Sequence, residues 1–244
     1  MLPPSWQLQI PLDAIIFDCD GTLSSIEGID QLAELNDVSE SVKELTSIAM
    51  SKTGLTPDIY QKRMDLILPT QKFIDALGKQ YCKNLTPDSD AVIRLLHGLK
   101  KEIYIVSAGL YPAIVPLAEL LNISDKNIYA VGIQFDSHGK LLSYEQDSPL
   151  TKNEGKKVIV TEILKKHSRI GYVGDGLNDV VVYDLVTRFI GYGGIYYRSN
   201  IAALCEYYIE TPSMSAILPL FLTQMEYENL AEEGKNLYRK GLPV

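Results

Sequence analysis

Cysteine is scarce and scattered in this chain. The three residues, Cys19, Cys82 and Cys205, are far apart and odd in number, which excludes a disulfide framework and suits a reducing compartment. No CxxC pair is present, and the three histidines, His97, His138 and His167, form no cluster. Those absences argue against a zinc centre and a histidine phosphatase. Positive charge is also short: 23 Lys and Arg against 31 Asp and Glu leave a net charge of −8. Binding a phosphate backbone normally needs a basic face, so no nucleic-acid partner is expected. No run approaches the ~18 apolar residues of a membrane span. The opening Met1-Leu2-Pro3-Pro4-Ser5-Trp6 has neither the basic start nor the apolar core of a secretion signal. A Walker-type glycine–lysine loop is missing, against an ATP-driven kinase. Internal repeats and low-complexity segments are missing too. The expected setting is cytoplasmic, without a membrane partner.

What remains is 244 residues with 46% apolar and 22% charged content, enough for one sizeable core and a small companion domain. Its most informative stretch is Ile15-Ile16-Phe17-Asp18-Cys19-Asp20-Gly21-Thr22, an apolar run ending abruptly in two carboxylates. A run this short, bounded by glycine, predicts a buried strand. Further strands are predicted at 103–106, 128–131, 170–173 and 189–191, with helical periodicity at 88–99, 112–121, 155–166 and 177–184 between them. Such alternation implies βαβ units and a parallel sheet. Segments at 131–135 and 141–144, parted by Ser137-His138-Gly139, predict an antiparallel hairpin.

Residues 25–85 break the alternation. They carry helical patterns alone, at 29–35, 38–50, 57–67 and 70–79, and a helical insert directly after the first strand reads as a cap over the sheet's carboxyl edge. The expected organisation is therefore an α/β, Rossmann-like core from 1–24 and 86–222, a helical cap at 25–85, and a charged tail at 223–244 forming a surface helix.

Side chains alternate along a strand, so Asp18 and Asp20 leave its end on one side and Cys19 on the other. Two acids that close repel unless a cation, a shared proton or a phosphoryl group lies between them. A second constellation, Gly174-Asp175-Gly176-Leu177-Asn178-Asp179, follows the strand at 170–173. Asp175 and Asp179 are placed to meet a hard cation, with Asn178 as polar support; magnesium favours one or two carboxylates plus phosphate and water. Taken alone, the same residues read equally well as a helix N-cap with an acidic first turn. A third part, Val106-Ser107-Ala108-Gly109, reads as a strand end entering a helix, where a hydroxyl and free N–H groups make a phosphate seat, or as simple capping by Ser107. The fourth is a lysine before the 170–173 strand, Lys152, Lys156 or Lys157, whose ammonium would offset the crowded negative charge.

These four parts, in this order, resemble the haloacid dehalogenase-like phosphohydrolases, and within them the phosphoserine phosphatases. The resemblance covers roughly residues 12–215. It rests on DxDGT at 18–22, GDGxND at 174–179, the stretch Ser25-Ile26-Glu27-Gly28-Ile29-Asp30, the segment Gln61-Lys62-Arg63, and Phe189-Ile190-Gly191-Tyr192-Gly193-Gly194. It implies Asp18 as nucleophile and Mg²⁺ ligand, Asp20 as general acid and base lending its backbone carbonyl to the metal, and Asp175 as a further metal ligand. Thr22, Asn178 and Asp179 would support them. Ser107, Ala108 and Gly109 would bind phosphate together with a lysine, for which Lys156 aligns best while Lys152 and Lys157 stay open. Glu27 and Arg63 would read the ammonium and carboxylate of the substrate. The implied reaction is Mg²⁺-dependent hydrolysis of O-phosphoserine, with a small phosphomonoester as partner and the oligomeric state left open between monomer and homodimer. Phosphocholine, phosphohomoserine, transfer to another alcohol, or phosphate binding without turnover are the alternatives. The chain departs from the family pattern at Ala108 and Leu110, where Ser-Gly-Gly-Phe is frequent in place of Ser107-Ala108-Gly109-Leu110, at Thr56 where an aromatic cap residue is frequent, and at Ser51-Lys52-Thr53.

Overall fold

The computed structural model describes residues 6–50 and 54–242. The first five residues and Ser51-Lys52-Thr53, both drawn on above, lie outside the described residues. Six strands form one parallel sheet: β1 (Ala14–Phe17), β2 (Glu102–Leu110), β3 (Ile128–Val131), β6 (Ile170–Gly174), β7 (Arg188–Tyr192) and β8 (Tyr208–Ile209). Their spatial order is β3-β2-β1-β6-β7-β8. Two further strands, β4 (Ile133–Phe135) and β5 (Leu141–Tyr144), make the antiparallel hairpin. This is the α/β architecture expected from the alternation.

β1 lies at the centre with every residue fully buried, as a strand covered on both faces must be, and its unbroken Ala-Ile-Ile-Phe composition follows from that burial. It pairs with β2 through Ile15↔Ile103 and with β6 through Ile15↔Gly171. Gly171 is required by close approach, since a Cβ there would fall 2.8 Å from Leu12 Cδ1 and 2.9 Å from the Phe221 ring. Because all these strands run the same way, the chain emerges from β1, β2 and β6 at one edge of the sheet. That edge carries Asp18, Ser107 and Asp175.

Between β1 and β2 come four helices, α1 (Gly28–Leu35), α2 (Ser39–Met50), α3 (Pro57–Ile67) and α4 (Gln71–Lys83), followed by α5 (Ser89–Gly98). The departure and return of the helical insert are tied side by side. Ser25 N–H donates to Asn84 O at 2.8 Å, Thr86 N–H to Leu23 O at 2.9 Å, and Ser24 Oγ to Asn84 O at 3.1 Å. Thr56 has a plain local purpose: it caps α3 by accepting from Ile59 N–H at 3.2 Å, with Pro57 in the first helical turn, where its missing N–H costs nothing.

Three elements differ from the sequence pattern. β2 runs on to Leu110, so Ser107–Gly109 belong to the strand's last residues and not to a helix N-terminus; α6 (Tyr111–Leu120) starts after them. The reason is local, since Ser107 Oγ accepts the Gly109 N–H at 2.9 Å and holds the backbone out of a helical turn. α7 (Gly155–Leu164) matches expectation, whereas α8 is confined to Leu177–Val180. The run Val180-Val181-Val182 explains the early stop, because three β-branched residues disfavour helix, and the chain continues in turns such as Val182 N–H to Asp179 O at 3.1 Å. Beyond α9 (Ser199–Ala202) and α10 (Leu218–Phe221), the tail forms two short helices, α11 (Gln224–Glu228) and α12 (Glu232–Lys240), instead of one. It is fastened to the body by the ion pair of buried Lys101 with half-buried Glu226 at 2.5 Å. Among the described residues, no helix is long and apolar enough to cross a membrane.

Candidate active site

Asp18 follows β1 directly and stays in register, its N–H donating to Val173 O at 2.9 Å. Its carboxylate is 6% exposed with the residue, and Oδ1 meets Lys156 Nζ at 2.8 Å and the Cys19 N–H at 2.7 Å. Lys156 also donates to Asp179 Oδ1 at 2.7 Å. Asp179 is held from two other sides, by the Tyr172 hydroxyl at 2.6 Å and the Gly176 N–H at 2.9 Å. Of the three candidate lysines, Lys156 is the buried one; Lys152 and Lys157 are exposed. Burial works against its positive charge, but Asp179 and Asp18 outweigh that and raise its pKa. Burial and the neighbouring Asp179 push the Asp18 carboxyl well above its ordinary value, with Lys156 opposing.

Asp20 turns toward different partners. Oδ1 accepts from the Gly28 N–H at 2.6 Å and the Tyr81 hydroxyl at 2.7 Å, and Oδ2 accepts from Ser107 Oγ at 3.3 Å. Burial raises its pKa, and the Gly28 and Tyr81 hydrogen bonds pull it back. The turn directly after Asp20 needs Gly21, whose φ is +63° and where a Cβ would lie 2.6 Å from Asp175 Oδ2.

Asp18, Asp175 and Asp179 can each bring one carboxylate oxygen within 4.8 Å of the others, a buried trio able to hold a metal ion. All-oxygen donors suit a hard divalent cation. The Asp20 carboxylate lies outside that trio because its oxygens are engaged with the insert and with Ser107. Asp179 spends its oxygens on Lys156, Tyr172 and Gly176, which leaves Asp18 and Asp175 as the better-placed ligands.

Across the pocket stand residues of the helical insert. Asp18, Asp20, Glu27, Arg63, Gly109 and Asp175 line one cavity of about 100 Å³. Arg63 is 7% exposed, its Nη2 donates weakly to Leu45 O at 3.4 Å, and its Nε is buried without a partner. A buried guanidinium with an idle donor invites an anionic ligand. Glu27 is pushed up to about 7 by burial and by Asp20, with Arg198 pulling the other way. Ala108 and Asn178 also line the cavity. Thr22 faces inward, its carbonyl accepting from Thr86 Oγ1 at 2.6 Å and its own Oγ1 buried without a partner.

Four contributors were invisible in the sequence pattern. Arg198 pairs with Glu27 Oε1 at 3.1 Å and with the Asp175 carboxylate, and donates to Asp175 O at 3.0 Å. Tyr81, Tyr172 and Tyr60 supply hydroxyls to Asp20, to Asp179 and to the Ala108 carbonyl. Arg198 has no motif around it, and its one clue is nearness to the glycine turn at 191–194.

Two acids on one strand end, a third on the next, an ammonium buried among them and a far wall carrying Glu27 and Arg63 suit a hydrolase of phosphoric monoesters. The family model for haloacid dehalogenase-like hydrolases matches residues 12–181. A phosphoserine phosphatase of Drosophila melanogaster is 30% identical over 80% of this chain and 73% of its own length, and that of Bos taurus is 28% identical over 81% and 88%. A solved phosphoserine phosphohydrolase-like protein from Francisella tularensis superposes with a TM-score of 0.73 at 27% identity, covering 82% of this chain and 96% of the other. The chain belongs to the haloacid dehalogenase-like hydrolases, in the phosphoserine phosphatase family.

Proposed function

We propose that this protein hydrolyses O-phospho-L-serine to serine and phosphate, with Mg²⁺ and through an aspartyl-phosphate on Asp18. The observation that carries the substrate reading is the opposition of two walls in one pocket: Asp18 and Asp20 on the sheet edge, Glu27 and Arg63 on the insert. A phosphomonoester with an ammonium and a carboxylate at its far end has a counterpart for each group. The names of the relatives point to the same substrate.

Asp18 Oδ attacks phosphorus and the bond from phosphorus to the serine oxygen breaks, which divides one hard displacement into two easier ones. Asp20 delivers a proton to the departing oxygen. In the second half, water attacks the same phosphorus, Asp20 takes its proton, and the Asp18 carboxylate is released with phosphate. Hydrogen bonds from Tyr81 and Gly28 hold Asp20 in place for both transfers. Lys156 offsets the charge gathered around Asp18. Ser107, Ala108 and Gly109 line the phosphate side, and Thr22, Asn178 and Asp179 brace the loops. Mg²⁺ held by Asp18, Asp175 and the Asp20 carbonyl would let an anionic nucleophile approach an anionic phosphate. Residues 25–85 act as the cap whose closure excludes water.

The test is phosphate release from a panel of small phosphomonoesters, including both hands of phosphoserine, phosphocholine and phosphohomoserine. L-Phosphoserine is expected to give the highest kcat/KM, with activity lost in EDTA and restored by Mg²⁺. Preference for phosphocholine, or turnover unaffected by chelation, would overturn the reading.

A further inference from the structure

We propose that Tyr60 is a positioning residue: its hydroxyl fixes the peptide joining Ala108 to Gly109, and through Ser107 it sets the position of Asp20. Tyr60 lies on α3 of the helical insert and is 5% exposed. Its hydroxyl donates to Ala108 O at 3.1 Å. The N–H of that same peptide, on Gly109, donates to Ser107 Oγ at 2.9 Å, and Ser107 Oγ donates onward to Asp20 Oδ2 at 3.3 Å. Donors and acceptors therefore alternate without conflict from the insert to the carboxylate. A donor on the carbonyl polarises the peptide and strengthens its N–H bond.

This peptide has need of an anchor. The β2–β3 register shifts between Val106 and Leu110, so the regular ladder does not define the stretch. Space is tight as well: a Cβ on Gly109 would lie 3.1 Å from Ser107 Oγ and 3.2 Å from Asp20 Oδ2. A small rotation of the peptide would thus be felt directly at Asp20. The phenol is itself held from behind. The Tyr60 and Tyr144 rings stand 5.5 Å apart, and Gln61 Oε1 accepts from the Tyr144 hydroxyl at 2.6 Å and from Gln146 Nε2 at 3.0 Å. Burial raises the phenol's pKa, which keeps it a proton donor throughout the working pH range.

The inference rests on the reading of Ser107–Gly109 as the phosphate side of the pocket, and it predicts a kinetic signature that packing alone would not produce. Tyr60→Phe keeps the ring and removes one hydrogen bond. Its kcat should fall about 3- to 10-fold, the scale of one hydrogen bond, with KM within about twofold. The factor should be equal for phosphoserine and p-nitrophenyl phosphate, because both present the same phosphoryl group. In a double-mutant cycle, Tyr60→Phe added to Ser107→Ala should cost nothing further, since Ser107 is the link through which Tyr60 acts. Unchanged kcat in Tyr60→Phe, a loss confined to phosphoserine, or full additivity with Ser107→Ala would each overturn the proposal. Failure of the unaltered protein to use phosphoserine would remove the substrate reading but leave the p-nitrophenyl phosphate comparison to decide this one.

Discussion

The ammonium of Lys156 lies 2.8 Å from Asp18 Oδ1, and the two side chains are 1% and 8% exposed. Neither charge has water to fall back on, and each favours the ionised form of the other, although burial and Asp179 still leave the Asp18 carboxyl raised. Removing one partner of a buried pair costs about 3–5 kcal/mol because the survivor is left uncompensated. Lys156→Met is therefore expected to lose stability on that scale in urea denaturation with EDTA present. The sign with pH follows from Asp18, whose folded pKa is already raised and rises further without Lys156. Where the folded state holds a proton that the unfolded chain has released, stability falls as pH rises. The deficit of the variant should thus be larger at pH 8 than at pH 5. An equal deficit at both would mean that Asp18 does not feel Lys156.

Asp18→Asn replaces an anionic oxygen with an amide of the same shape, and the amide is no nucleophile. Turnover should fall by about 10⁴-fold or more, the scale seen when a nucleophile is removed from a catalytic set. Acid-quenched protein analysed by mass spectrometry should carry a phosphoryl group in the unaltered chain and none in the variant. The melting transition should persist, since the exchange removes a charge from a site with surplus acid. A labelled Asp18→Asn protein would assign the nucleophile to another residue.

Arg63 lines the cavity with its Nε idle, and the carboxylate of the proposed substrate would be its counterpart. A hydrogen bond to a charged group contributes about 1.5–3 kcal/mol, or about 10- to 100-fold in binding. Arg63→Ala should raise KM for phosphoserine by that factor and leave p-nitrophenyl phosphate, which has no carboxylate, nearly unchanged. Similar losses on both substrates would remove Arg63 from substrate recognition.

Legibility in the sequence tracked how local the determining chemistry is. Asp18, Asp20 and Asp175 were readable because each ends an apolar strand, and strand-end acids beside glycine form a pattern within eight residues. The parallel sheet was readable for the same reason, as β1 and β6 are buried on both faces. Asp179 was visible as an acid but not as the partner of Lys156 and Tyr172, which are 23 and 7 positions away. Arg198 and Tyr81 reach the site from 23 and 61 positions away from the acids they touch, and no periodicity encodes such a meeting. β8, at two residues, is too short to show alternation. The extent of β2 past Val106 was hidden because one hydroxyl, on Ser107, decides it.

Glu27 gives the pH dependence. Its carboxyl is raised to about 7, first by burial and then by the charge of Asp20, while Arg198 pulls it back. A protonated carboxyl has no charge to offer an ammonium, so under the proposed function the form that would read the amino group fills as pH rises through about 7. Below that value the ionised fraction drops about tenfold per pH unit. KM for phosphoserine should therefore fall as pH is raised from 5.5 to 8.5, with an inflection near 7. The phosphate group itself ionises with a second pKa near 6, and p-nitrophenyl phosphate controls for its ionisation, since it has no ammonium and should lack the inflection near 7. Glu27→Gln should flatten the phosphoserine profile to match that control. Arg198→Met, by removing the charge that lowers the Glu27 pKa, should move the inflection to higher pH. A profile that keeps its inflection in Glu27→Gln would show that another group reads the ammonium.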